Sequence, residues 1–139
     1  MNFKYFIEKG LVRKTSKDKS LAKSLVQNSK KDIKFLNGLK INENSARKIM
    51  TNFYDVLRTI LEAISVTKEY KIYSHEAYAY FLQEIGEELL AIKFDRFRKI
   101  RNSINYYGKD ISIEETKENI HEIKKMINFL IKKYLGSLK

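Results

Sequence analysis

From Ile49 to Ile64 the apolar residues Ile49, Phe53, Val56, Leu57, Ile60 and Ile64 recur at three- and four-residue intervals. That spacing puts them on one face of a helix and predicts a core element. The same period returns in Thr116, Ile120, Ile123, Ile127, Leu130 and Tyr134, behind Ser112 and Glu115, which stand three apart as in a capping box. Between these two, Phe94, Phe97, Ile100, Ile104 and Tyr107 form a third stripe that Gly108 closes, and Tyr78, Phe81, Leu82 and Ile85 form a shorter one between Ser74 and Gly86. Upstream, Thr15 with Asp18 resembles another capping box and opens a segment to about Leu39. Its apolar face, Leu21, Leu25, Leu36 and Leu39, is narrow among many lysines. Residues 1–14 form a short amphipathic lead-in, the pattern breaks around Tyr70–Tyr73, and Gly38 with the cluster from Asn42 to Ser45 marks a turn.

The expected fold is all-α: an antiparallel up-and-down bundle of four long helices plus a short extra one. Composition strengthens this. The 139 residues suffice for one domain spanning 1–139, and the absence of proline with only five glycines leaves long segments free to be helical. There is no cysteine, which excludes disulfides, thiol catalysis and zinc–thiolate sites and suits a reducing cytoplasm. The N-terminal residues lack the apolar run of a signal peptide and no later run approaches a membrane span, so a cytoplasmic location without membrane partners is expected.

The formal net charge of +11 is unevenly placed, with 13 Lys/Arg against 4 Asp/Glu in residues 1–50 and 15 against 13 in the rest. A field of that sign is either a footprint for a polyanion such as RNA or a lysine-rich solvated face.

Chemistry concentrates in Lys93–Lys109. On a helix, Arg98, Arg101 and Asn105 share one side while Asn102 lies close to Tyr106. Arginine forks bind phosphate, asparagine amides orient ligands, and tyrosines stack on bases or donate a phenolic proton, so these residues with Lys109 form an RNA-contact set. The same residues also suit a solvated helix end. His75 and Glu76 begin a zinc-protease motif whose second histidine position is Ala79, which removes zinc, and no metal or other cofactor is expected. His75 is expected in the first turn of its helix, exposed, bonded to a neighbour or lining a dimer cleft, and His121 is expected in solvent. Tyr70, Tyr73, Tyr78 and Tyr80 suit a core, a subunit interface or base stacking.

The run Arg101-Asn102-Ser103-Ile104-Asn105-Tyr106-Tyr107-Gly108, with the basic residues before it and the capped helix after it, resembles the signature region of HEPN-domain proteins. Arg58–Ala63 and Tyr73–Ala77 are similar to members of that family as well, and the resemblance covers roughly residues 45–135. It implies a helical bundle that dimerises with the two signatures facing across a cleft. It also implies RNA as the ligand, metal-independent ribonuclease chemistry, and a toxin role beside a nucleotidyltransferase antitoxin. Arg101 and Asn102 match the first half of the family motif, while Tyr107 stands where its histidine falls. Arg101, Asn102 and Tyr107 are therefore the implied catalytic set, with Arg98, Asn105, Tyr106 and Lys109 around RNA. Tyrosine titrates near 10 and is a poor base at neutrality. That departure keeps open the alternative of a non-catalytic module holding a nucleotide or a partner protein. The family's nucleotide-accepting tyrosine, two positions past the histidine, has no counterpart because Lys109 occupies that place; Tyr106 and Tyr107 are the tyrosines beside it.

Overall fold

The computed structural model describes residues 1–138. The chain is mostly helical, in the order α1 (Phe3–Glu8), β1 (Val12–Lys14), α2 (Lys19–Asn37), α3 (Ala46–Thr67), β2 (Tyr70–Ile72), α4 (His75–Glu84), α5 (Glu88–Tyr107) and α6 (Ile113–Tyr134). Helix α3 is the hub. It packs against α2, α6, α5, α4 and β2, while α4 lies along α5 and α1 rests on α4. No helix among the described residues is long and apolar enough to cross a membrane.

The central position of α3 follows from its composition. Ile49, Phe53, Val56, Leu57, Ile60 and Ile64 are all buried, and Met50, Tyr54, Leu61 and Ala63 extend the apolar surface around the helix. A helix apolar on more than one side must be covered on more than one side. Ser74 and Ser112 cap their helices, accepting from the backbone N–H of Ala77 and Glu115 respectively. Gly108 ends α5 in the left-handed conformation at φ 62°, which a residue lacking Cβ adopts without strain.

Three expectations need correction. Asp18, not Thr15, caps α2, its carboxylate accepting from the N–H of Leu21 at 2.9 Å. The buried face of α2 is Ala22, Val26, Ser29 and Leu36, while Leu21 and Leu39 are exposed and Leu25 only half-buried. Tyr107 does not continue the α5 stripe; its ring is 77% exposed beyond the last core contact at Ile104.

The break around Tyr70 is a strand. β2 pairs antiparallel with β1 in the register Val12↔Ile72, Arg13↔Lys71, Lys14↔Tyr70. This ribbon folds residues 1–14 onto the bundle, with Val12 and Ile72 buried and the rings of Phe3 and Tyr70 edge-on at 5.1 Å. Glu69, entering β2, holds φ at 67°, and its carbonyl accepts from the N–H of Thr15.

Candidate functional site

The second half of α5 faces α3 and the first turn of α4, and three arginines gather there. Arg98 comes from the buried side of α5, and its guanidinium bonds Asp95 through Nε at 2.9 Å and Nη2 at 2.8 Å, with Glu76 of α4 at 3.9 Å. Arg58 of α3 pairs with Glu62 one turn along, at 3.3 Å. Arg101 differs. It forms no ion pair among the described residues, and its Nη1 donates only to neutral oxygens, Asn102 Oδ1 at 3.2 Å and Tyr106 Oη at 3.3 Å. Its Nε is buried and unpartnered, and its guanidinium lies 5.8 Å from the ring centre of Tyr54 and 5.6 Å from that of Tyr106.

Tyr54 links this arginine to a histidine. Its hydroxyl lies 2.9 Å from His75 Nδ1, and the two rings stack at 5.8 Å with 20° between planes. Phe94 also stacks on Tyr54, at 5.5 Å with 30° between planes. His75 reaches this point because β2 ends at Ile72 and Ser74 caps α4, so His75 is the first residue of the helix, within reach of Tyr54 on α3.

The electrostatics are those of a crowded cationic site. His75 is lowered from 6.5 to about 4, first by burial and then by Arg58, Arg101 and Arg98, so it is neutral at physiological pH. Burial raises the Tyr54 hydroxyl well above the ordinary phenol range, outweighing the same three arginines. Tyr78 is pushed up to about 12 by burial, with Glu62 adding to it. At Asp95 burial acts upward, but hydrogen bonds from Arg98 and Lys99 outweigh it and hold the carboxyl below its usual range.

The low pKa of His75 has a measurable consequence for stability. The unfolded chain protonates this ring below about 6.5, the folded one only near 4, so the unfolded state binds more protons between those values. Stability therefore falls as pH drops from 6.5 toward 4 and levels off below. Allowing for solvent screening of a half-buried ring, the loss between pH 7 and 5 is about 1 kcal/mol. Urea unfolding of the wild type and His75→Gln at both pH values measures it, and an equal loss in the two proteins would remove the assignment.

The expected site residues divide accordingly. Arg101, Asn102 and Tyr106 come together. Arg98 is adjacent but turned to carboxylates. Asn105 and Lys109 are exposed at the helix end, and Tyr107 makes none of the hydrogen bonds or ring contacts of Arg101. His121 is exposed. Sequence reading missed Tyr54 and Arg58 as members of the site and did not connect His75 with Arg101. Tyr54 reads as one more apolar position of a core helix, and no local spacing relates it to residues 21 and 47 positions away.

Beside this cluster, a groove of about 740 Å³ runs between α4 and α5, lined by Glu76, Tyr80, Asp95, Arg98, Lys99 and Ser103 among others. No family model, no curated protein and no solved structure matches the chain.

Proposed function

We propose that this chain is a HEPN-type, RNA-binding homodimer, the toxin-like half of a pair with a nucleotidyltransferase antitoxin, and that it cleaves RNA without a metal ion. The observation that carries the reading is Arg101, a guanidinium without a carboxylate partner, set one tyrosine ring away from a neutral histidine. A half-buried cation whose Nε–H is buried and unsatisfied is costly unless an acceptor completes it, and an RNA phosphate supplies both charge and acceptor oxygens.

In this reading His75 takes the place of the histidine that the signature lacks, which relieves Tyr107 of a role its high pKa does not suit. With Nδ1–H donating to the Tyr54 oxygen, His75 Nε2 holds the lone pair that accepts the 2′-hydroxyl proton. The 2′-oxygen bonds to the adjacent phosphorus, the bond to the 5′-oxygen breaks, and that oxygen takes a proton from water, giving a 2′,3′-cyclic phosphate and a 5′-hydroxyl end; His75 then returns its proton to solvent. Arg101 stabilises the negative charge that builds on the phosphoryl oxygens. A bound phosphate also offsets the field of the three arginines and raises His75 toward neutrality, improving it as a base.

The other reading, a non-catalytic module holding a nucleotide or partner protein, is favoured by one feature: Arg101 Nη1 is already held by Asn102 and Tyr106. Incubation of the protein with mixed tRNA and mRNA in EDTA, beside Arg101→Ala and His75→Gln, separates the two. Cleavage lost in both variants supports the nuclease; no cleavage by the wild type supports the binding module. The dimer is tested by light scattering at micromolar concentration, where twice the 16.5 kDa chain mass is expected and a monomeric mass removes any site shared between two copies.

A further inference from the structure

The β1–β2 ribbon turns one face inward and one to water. Val12 and Ile72 are buried, so by the two-residue alternation of strands Leu11, Arg13, Lys71 and Tyr73 share the outer face, and all four are exposed. Tyr73 donates its N–H to the Leu11 carbonyl at 2.8 Å, placing these two side by side past the end of the ladder. The Arg13 guanidinium and the Lys71 ammonium lie 5.6 and 5.8 Å from the Tyr73 ring centre.

Arg13 and Lys71 are cross-strand partners, directly opposite one another. Like charges in that position repel and weaken a ribbon. Neither forms an ion pair among the described residues, and the segments 8–19 and 68–73 carry seven Lys/Arg against three Asp/Glu. Two opposed cations beside an exposed aromatic and a leucine are poorly placed for the free protein and well placed for a ligand that alternates phosphate with a flat apolar ring. An unpaired nucleotide strand has that chemistry, whereas a duplex hides its base faces.

The platform also adjoins the arginine cluster. Tyr73 precedes His75 by two residues, and Ser74 between them is extended, so the two positions are about 7 Å apart along the backbone. We propose that the outer face of the ribbon binds single-stranded RNA, with a phosphate bridging Arg13 and Lys71 and a base packed on Tyr73 and Leu11, and that the strand continues from there to Arg101. The continuation rests on the function proposed above; the binding surface does not.

The test uses the full chain and a fluorescein-labelled ten-nucleotide 2′-O-methyl RNA, whose blocked 2′-oxygen cannot attack, read by anisotropy across a salt series. Arg13→Ser/Lys71→Ser is expected to raise the Kd roughly tenfold and to reduce the salt slope by about 0.7, the value for one phosphate of a single strand. Tyr73→Ala is expected to raise the Kd by a similar factor with the slope unchanged, because it removes stacking and no charge. The double variant relieves a repulsion and gives up two exposed cation–π contacts of similar size, so it should melt close to the wild type; if it is less stable, Tyr73→Ala carries the test alone. Wild-type affinity and slope in both variants would overturn the proposal. So would tighter binding to phosphatidylserine vesicles than to RNA, lost in the double variant, which would give the platform to lipid headgroups. If Arg101→Ala stops cleavage while both ribbon variants bind RNA normally, the platform fails and the Arg101 reading stands. If the ribbon variants lose RNA while Arg101→Ala changes nothing, the reverse holds.

Discussion

Arg101→Ala is expected to lower metal-independent RNA cleavage at least 100-fold. Removal of one preorganised donor from a developing oxyanion costs roughly 10² to 10³ in rate, and Arg101 is the arginine of the cluster that forms no ion pair among the described residues. Arg98→Ala tests the contrast. Among the described residues it leaves Glu76 without a cation and Asp95 with Lys99 alone, and acts through stability, whereas Arg101→Ala breaks no ion pair there and is expected to leave the fold intact. Arg101→Lys retains the charge but not the planar fork, so its activity should fall between the wild type and the alanine variant. The measurement is single-turnover cleavage of a defined RNA in EDTA with the proteins purified identically. Equal rates for the wild type and Arg101→Ala would sink the assignment. His75→Gln on its own should cost about 10² to 10⁴, the range for general acid–base catalysis, and should remove the acidic limb of the pH–rate profile.

Phe94→Ala is expected to destabilise the chain by about 3–5 kcal/mol, a large share of the roughly 5–15 kcal/mol that holds an ordinary domain together. Phe94 is fully buried where α3, α4 and α5 meet, its ring 5.5 Å from Tyr54 and 6.2 Å from Tyr78. Deleting it leaves a cavity that three helices would have to move to fill. It also takes away the ring that backs Tyr54, and with it the support of both His75 and Arg101. Phe94→Leu, which retains most of the volume, should cost much less. Urea unfolding measures both; a loss below about 1 kcal/mol for the alanine variant would mean that the junction is looser than its packing implies.

Much of the helical framework was legible because its signals are local. The α3 stripe from Ile49 to Ile64 is buried in full, Ser74 and Ser112 cap where their side chains can reach an N–H three residues on, and Gly108 stops α5. The errors fell where local patterns compete. Leu21 and Leu39 are apolar enough to suggest a core face, yet α2 turns Ala22, Val26, Ser29 and Leu36 inward and leaves those two exposed, a choice of face that the packing on α3 makes. The ribbon was invisible because β1 and β2 are three residues each and lie more than fifty apart, too short for a period and too distant for a turn signal.

The site divides in the same way. Arg101, Asn102 and Tyr106 are neighbours on one helix, so the sequence alone determined that they could act together, along with the helical class of the chain and the basic excess of its first third. Only the tertiary structure decided that Tyr54 from α3 and His75 from α4 join them, that Arg98 turns to carboxylates while Arg101 does not, and that Tyr107 points to water. Helical periodicity relates residues three or four apart. A site drawn from three helices depends on how buried faces such as that of Phe94 bring those helices together, which no single segment encodes.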